Sequence, residues 1–113
     1  MTALLALLLS AGAHAHAMLL RFDPTDGAQL RAAPAKIVVW FTKPLEPRFS
    51  RVEVTDGSGA AVASQPPQPL PSNASGLSAA LPALAAGQYH VRWTVISIDS
   101  HRTNGTVGFT VLP

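Results

Sequence analysis

Short apolar runs separated by turn residues organise this chain, and in none of them does a 3.6-residue period persist for a dozen residues. The runs are AMLLRF (17–22), KIVVWFT (36–42), SRVEVTD (50–56), AAVAS (60–64), LSAAL (77–81), QYHVRWTVIS (88–97) and TVGFTVL (106–112). Each has the length of a strand. In the sixth run Tyr89, Val91, Trp93 and Val95 share one parity while His90, Arg92 and Thr94 share the other. That two-residue period puts one face in a core and the other in water. In 36–42 the positions Ile37, Val39 and Phe41 claim the inward face, which leaves Trp40 outward, where an exposed indole would mark a contact surface. Seven short strands predict an all-β fold, a two-sheet antiparallel sandwich or Greek-key barrel.

Ten prolines and eight glycines punctuate the runs. Asp56-Gly57-Ser58-Gly59 reads as a hairpin turn between the third and fourth strands, because Asp-Gly supplies the positive φ such turns need. QPPQPLPSNASG (65–76) has four prolines and no apolar period, so it reads as a surface connection of polyproline character. LSAALPALAAG (77–87) is helical by propensity, but Pro82 interrupts it, and a strand followed by a turn into Gly87 fits better. A chain of 113 residues with no internal repeat holds one domain.

Residues 1–15 carry no charged side chain and pass from a leucine-rich stretch to Ala13-His14-Ala15, the pattern of a signal-peptidase site. The expectation is a secretory signal over 1–15, cut after Ala15, and a functional domain over 16–113. The apolar stretch stops short of the ~20 residues of a spanning helix, and no other segment is a candidate. With no cysteine, neither a disulfide framework nor a lipoprotein anchor is available. The formal charge is only +2, and the eight basic residues are dispersed along the chain, which argues against a nucleic-acid partner.

Candidate chemistry lies at two places. Cleavage after Ala15 makes His16 the first residue and sets a new α-amine beside its imidazole. The amine has an ordinary pKa of about 7.7–8.0, so a metal displaces its proton near neutrality. Amine nitrogen and Nδ1 then close a six-membered chelate ring, a donor pair suited to Cu(II). Read alone, His16 is more simply a solvated chain end. In SIDSHRTNG (97–105), Asp99 and His101 are two apart and would project from one side if strand geometry continued. Read alone, Asp99, Ser100, Asn104 and Gly105 are ordinary turn formers around an exposed histidine. Taken with His16, the set is two imidazoles, one amine and one carboxylate, a set for Cu(II) and a poor one for Cu(I).

These residues sit in stretches that resemble the CopC-type copper-binding proteins of the bacterial periplasm. The resemblance is carried by HAMLLRFDPTDGAQL (16–30), APAKIVVWFTKPLEPRFSRVEVTD (33–56) and LPALAAGQYHVRWTVISIDSHRTNGTVGFTV (81–111), and it spans nearly all of 16–113. It implies a seven-stranded, immunoglobulin-like Greek-key sandwich with a Cu(II) site at one end. The ligands it implies are His16 through amine and imidazole, the carboxylate of Asp99 and the imidazole of His101. It further implies a periplasmic location, a monomer, a role in copper resistance or homeostasis, and an inner-membrane copper transport protein of the CopD type as partner. Many relatives read F-S-E-P where this chain has Phe41-Thr42-Lys43-Pro44, so a cation replaces an acid. Lys43 reads as a strand-end lysine reaching into solvent. Paired with Asp99 it would compete with the metal. The Met-rich loop of some relatives is missing after VEVTD, and Met18 is assigned to packing, with a weak thioether contact to copper as the alternative.

Three functions of different classes follow: a copper-binding module, a copper monooxygenase of the histidine-brace kind, and a structural sandwich with incidental histidines. An Asp ligand fills a position that an oxygen-activating copper would leave open, which favours the first and a non-enzymatic role. No nucleophile with an adjacent base, phosphate loop or carboxylate pair supports hydrolysis or phosphoryl transfer.

Overall fold

The strict alternation of 88–97 becomes the central strand of one sheet in the computed structural model, which describes residues 16–113; the expected signal segment, 1–15, lies outside the described residues. Eight strands follow in chain order: β1 (Leu19–Asp23), β2 (Ala28–Leu30), β3 (Lys36–Phe41), β4 (Arg51–Asp56), β5 (Gln68–Leu70), β6 (Asn73–Ala80), β7 (Gly87–Ile96) and β8 (Arg102–Val111). One sheet has the order β1-β3-β6-β5 and the other β2-β8-β7-β4. The expected all-β sandwich is what forms. Its detail differs at three points. The 60–64 run contributes only an isolated bridge, Thr55 to Ala61, whereas 28–30 and 68–70 are strands. β2 joins β8 in parallel, the one exception to antiparallel pairing among the described residues. The third point is the proline-rich connection, part of which is β5, and β5 is an edge strand, where the missing N–H of Pro69 breaks no ladder.

Between the sheets, Tyr89, Val91, Trp93 and Val95 of β7 meet Ile37, Val39 and Phe41 of β3, all buried, as their parity requires. Phe41 meets the Trp93 ring edge-on at 5.0 Å. Trp93 lies flat over its cross-strand partner Gly105, where a Cβ would overlap the indole. The Tyr89 hydroxyl donates to the carbonyl of Ala85 at 2.6 Å, four residues upstream, the corner arrangement common in immunoglobulin-like sandwiches. Trp40 faces outward but is half-buried, with the Arg21 guanidinium 4.6 Å from its ring centroid. His90 is exposed.

Two turns rest on positive-φ glycines, and at the first the positive φ falls on Gly59 rather than on Gly57, the glycine of the expected Asp-Gly pair. At Asp56–Gly59 one carboxylate oxygen accepts from the backbone N–H groups of Ser58 (2.9 Å) and Ala60 (3.1 Å) and from the Ser58 hydroxyl (2.6 Å), while Gly59 takes φ +85°. These bonds, that of the Ser58 hydroxyl foremost, hold the Asp56 carboxyl below its ordinary pKa of 3.8. At Pro24–Gly27 the chain crosses from one sheet to the other, with Gly27 at φ +78° donating to Gly108 at 2.7 Å.

Candidate metal centre

One end of the sandwich gathers the start of β1, the ends of β3 and β7 and the start of β8. There the segment before β1 is clamped on both sides. Thr42 N–H donates to the Met18 carbonyl and Met18 N–H to the Thr42 hydroxyl, each at 2.9 Å. The Thr103 hydroxyl donates to the Ala17 carbonyl at 2.9 Å. Ala17 itself is 1% exposed, and its methyl is part of the core. Anchoring Ala17 leaves its exposed neighbour His16 standing over His101, with ring centroids 4.9 Å apart and planes at 83°. Two imidazoles bound to one ion through nitrogen bonds of about 2 Å need rings this near each other.

Asp99 is held differently. The strand stops at Ile96, and 97–101 is a tight turn with Ser100 at φ 70°, so turn geometry rather than continued strand period sets the direction of Asp99. Ser97 N–H donates to the His101 carbonyl at 2.9 Å and Ser100 N–H to the Ser97 carbonyl at 2.8 Å. The Ser97 hydroxyl accepts from His101 N–H at 3.3 Å and makes a short hydrogen bond to Asp99 Oδ1. Its single proton goes to the carboxylate, the charged acceptor. Ile98 N–H donates to the Pro44 carbonyl at 3.1 Å, drawing the post-β3 segment alongside. Lys43 Nζ thereby reaches Asp99 Oδ2 at 3.3 Å. It does not extend freely into solvent. The Asp99 carboxyl is held below its ordinary pKa of 3.8, first by the Ser97 hydroxyl and further by Lys43, with partial burial opposing them.

Of the three residues singled out in the sequence, His16 and His101 are brought ring to ring, while the Asp99 carboxylate is turned to Ser97 and Lys43. Among the described residues no three His, Asp or Glu groups converge into a ready-made metal cage. Ser97, Thr103, Thr42 and Ala17 were not singled out, although each positions a candidate ligand. Ser97 was the findable one. It continues the inward parity of Tyr89 through Val95 and is fully buried, and a polar residue at a core position needs a local hydrogen-bonding task.

The CopC domain family matches residues 19–112. The chain belongs to the CopC family. It is 34% identical over 111 residues to copper resistance protein C of Xanthomonas campestris pv. juglandis, covering 92% of this chain and 86% of that protein. It is 26% identical over 98 residues to the copper transport protein CutJ of Bacillus subtilis, where 86% of this chain spans only 18% of the relative's length. Among solved structures, CopC from Methylosinus trichosporium superposes with a TM-score of 0.82 at 28% identity, covering 87% of this chain and 95% of that one. The two sequence relatives are named for copper resistance and copper transport, and the solved CopC structure shares the all-β sandwich described above.

Proposed function

We propose that the protein is a periplasmic Cu(II) carrier, exported by a signal over 1–15, that takes up one ion between His16, His101 and Asp99 and passes it to a membrane transport protein. The observation that carries this reading is the pairing of the two imidazoles. His16 and His101 are separated by nearly the whole domain in sequence, yet the backbone clamp at Ala17 and Met18 holds them ring to ring. Two imidazoles, a carboxylate and, after cleavage at Ala15, an α-amine supply nitrogen and oxygen donors, the preference of Cu(II). Asp99 joins the set by exchanging Lys43 for the ion. Copper is cargo here, and the chain's residues bind and orient it without turning it over.

Passing the ion on is supported by what surrounds the site. The start of β1 and the 97–101 turn expose the large apolar side chains Met18, Leu20 and Ile98 beside the site. In CutJ the matching region is a small part of a longer copper transport protein. A carrier that docks site-first on such a partner accounts for both.

The test is Cu(II) titration of His101→Ala and Asp99→Ala beside the parent protein, with circular dichroism to check the fold. His101→Ala should lose at least about 10-fold to 100-fold in affinity and Asp99→Ala less, with both still folded. Unchanged affinity in His101→Ala would remove the site. Sustained oxygen consumption with a reductant and a polysaccharide would replace the carrier by an oxidase.

A further inference from the structure

The basic residues that look dispersed along the sequence are gathered by the register of the second sheet. Across β4, β7 and β8, Arg51 pairs with Thr94, Glu53 with Arg92, and Ile96 with Arg102. The alternation that sends Val91, Trp93 and Val95 into the core sends this set outward. With Arg48 and Phe49 from the 3₁₀ turn Pro47–Phe49, they line a concave groove of about 610 Å³. Four guanidiniums and one carboxylate face it, a local charge of +3 against +2 for the whole chain, so everything outside the groove sums to a net negative charge. Among the described residues the sole ion pair within 4 Å is Lys43 with Asp99. None of the four guanidiniums is therefore neutralised at contact distance, Glu53 notwithstanding. Crowding like charges on one face opposes folding, and the fold leaves that repulsion unrelieved.

We propose that this groove seats an extended, carboxylate-rich segment of a protein partner, with an apolar side chain of that segment against Phe49. Guanidinium forks match carboxylates in a two-point geometry, and four along a groove read a row of them. A concave face encloses a chain, whereas a flat bilayer would meet only its rim. Phe49 is 65% exposed at the edge and offers the apolar anchor that a purely ionic contact lacks. The groove also runs to the candidate copper end, since Ile96 immediately precedes the Ser97 turn and Arg102 immediately follows His101. A segment seated there holds its parent protein next to the ion. The groove itself does not depend on the copper reading.

The experiment is fluorescence anisotropy with a labelled Asp/Glu-rich peptide carrying one central leucine, and its Asn/Gln counterpart as control. The acidic peptide should bind with an affinity that falls as salt rises, and the neutral one should not. Arg92→Glu and Arg51→Glu should each weaken binding about tenfold or more. Arg31→Glu, the same charge change outside the groove, should leave binding within about twofold. Thermal unfolding should find Arg92→Gln at least as stable as the parent, which separates lost binding from lost structure. Copper affinity of Arg92→Glu should stay at the parent level, so failure of the groove and failure of the copper site read out separately. Absence of acidic-peptide binding, or an equal loss in Arg31→Glu, overturns the proposal. Arginine-dependent sedimentation with phosphatidylglycerol vesicles and no peptide binding would assign the face to a membrane instead.

Discussion

The two halves of the candidate copper site are held by different means. His16 and His101 are placed by backbone: Ala17 is locked by its buried methyl and by Thr103, Met18 by a reciprocal pair of bonds with Thr42, and His101 by the 97–101 turn. Asp99 is placed by side chains, the Ser97 hydroxyl on one oxygen and the Lys43 ammonium on the other. A backbone clamp presents ligands without further ordering, while a side-chain partner has to be displaced before the carboxylate can serve. The imidazole half is preorganised, and the carboxylate half is guarded.

The largest effect should come from breaking the clamp. Ala17→Leu overfills a position that is 1% exposed, which typically costs about 1–3 kcal/mol, and it pushes His16 off His101. Thermal unfolding should show a lower midpoint, and Cu(II) titration an affinity reduced by about 10-fold to 100-fold. Unfolding damage with copper affinity intact would show that the clamp does not place the ligand. Next in size is removal of the guard. Lys43→Met frees Asp99 Oδ2 and deletes a cation beside the incoming ion, so Cu(II) affinity should rise severalfold. The fold should hardly notice, because both partners are partly exposed. A fall in affinity would mean that Lys43 orients Asp99 for the metal.

The smallest effect belongs to a carboxylate outside the site that makes the same kind of bonds. Asp56 has its pKa lowered, so its contribution to stability is present above pH about 4 and is lost as pH falls below that. Asp56→Asn should flatten the acid limb of a stability-versus-pH curve slightly and leave copper titration unchanged. A change in copper affinity would mean that the far turn is coupled to the site.

The same contrast between backbone and side chain decides how much was legible beforehand. The parity of Tyr89 through Val95 and of Ile37, Val39 and Phe41 reports the core directly, since alternation is a backbone property. β2 and β5 are three residues each, too short for any period to register, and β5 carries a proline that only its edge position makes tolerable. His16, Asp99 and His101 were identifiable as chemistry, and their meeting at one end was readable only through family resemblance. The grip of Lys43 on Asp99 spans 56 residues and follows the tertiary bond from Ile98 N–H to the Pro44 carbonyl, which no local pattern signals. The arginine groove is an intermediate case. Arg51 and Arg92 fall on outward parity in readable strands, but Arg48 and Arg102 join them only through the turn before β4 and the β7–β8 register.

The central claim is that the chain's own processing completes a Cu(II) site at His16. Its most direct test is electron paramagnetic resonance with Cu(II) titration on two forms, one beginning at His16 and one keeping Ala15 before it. The form beginning at His16 should bind one ion with a tetragonal, nitrogen-rich signal, and the extended form, its nitrogen tied up as an amide, should bind far more weakly. Equal affinity and identical spectra would take the α-amine out of the site and contradict the account.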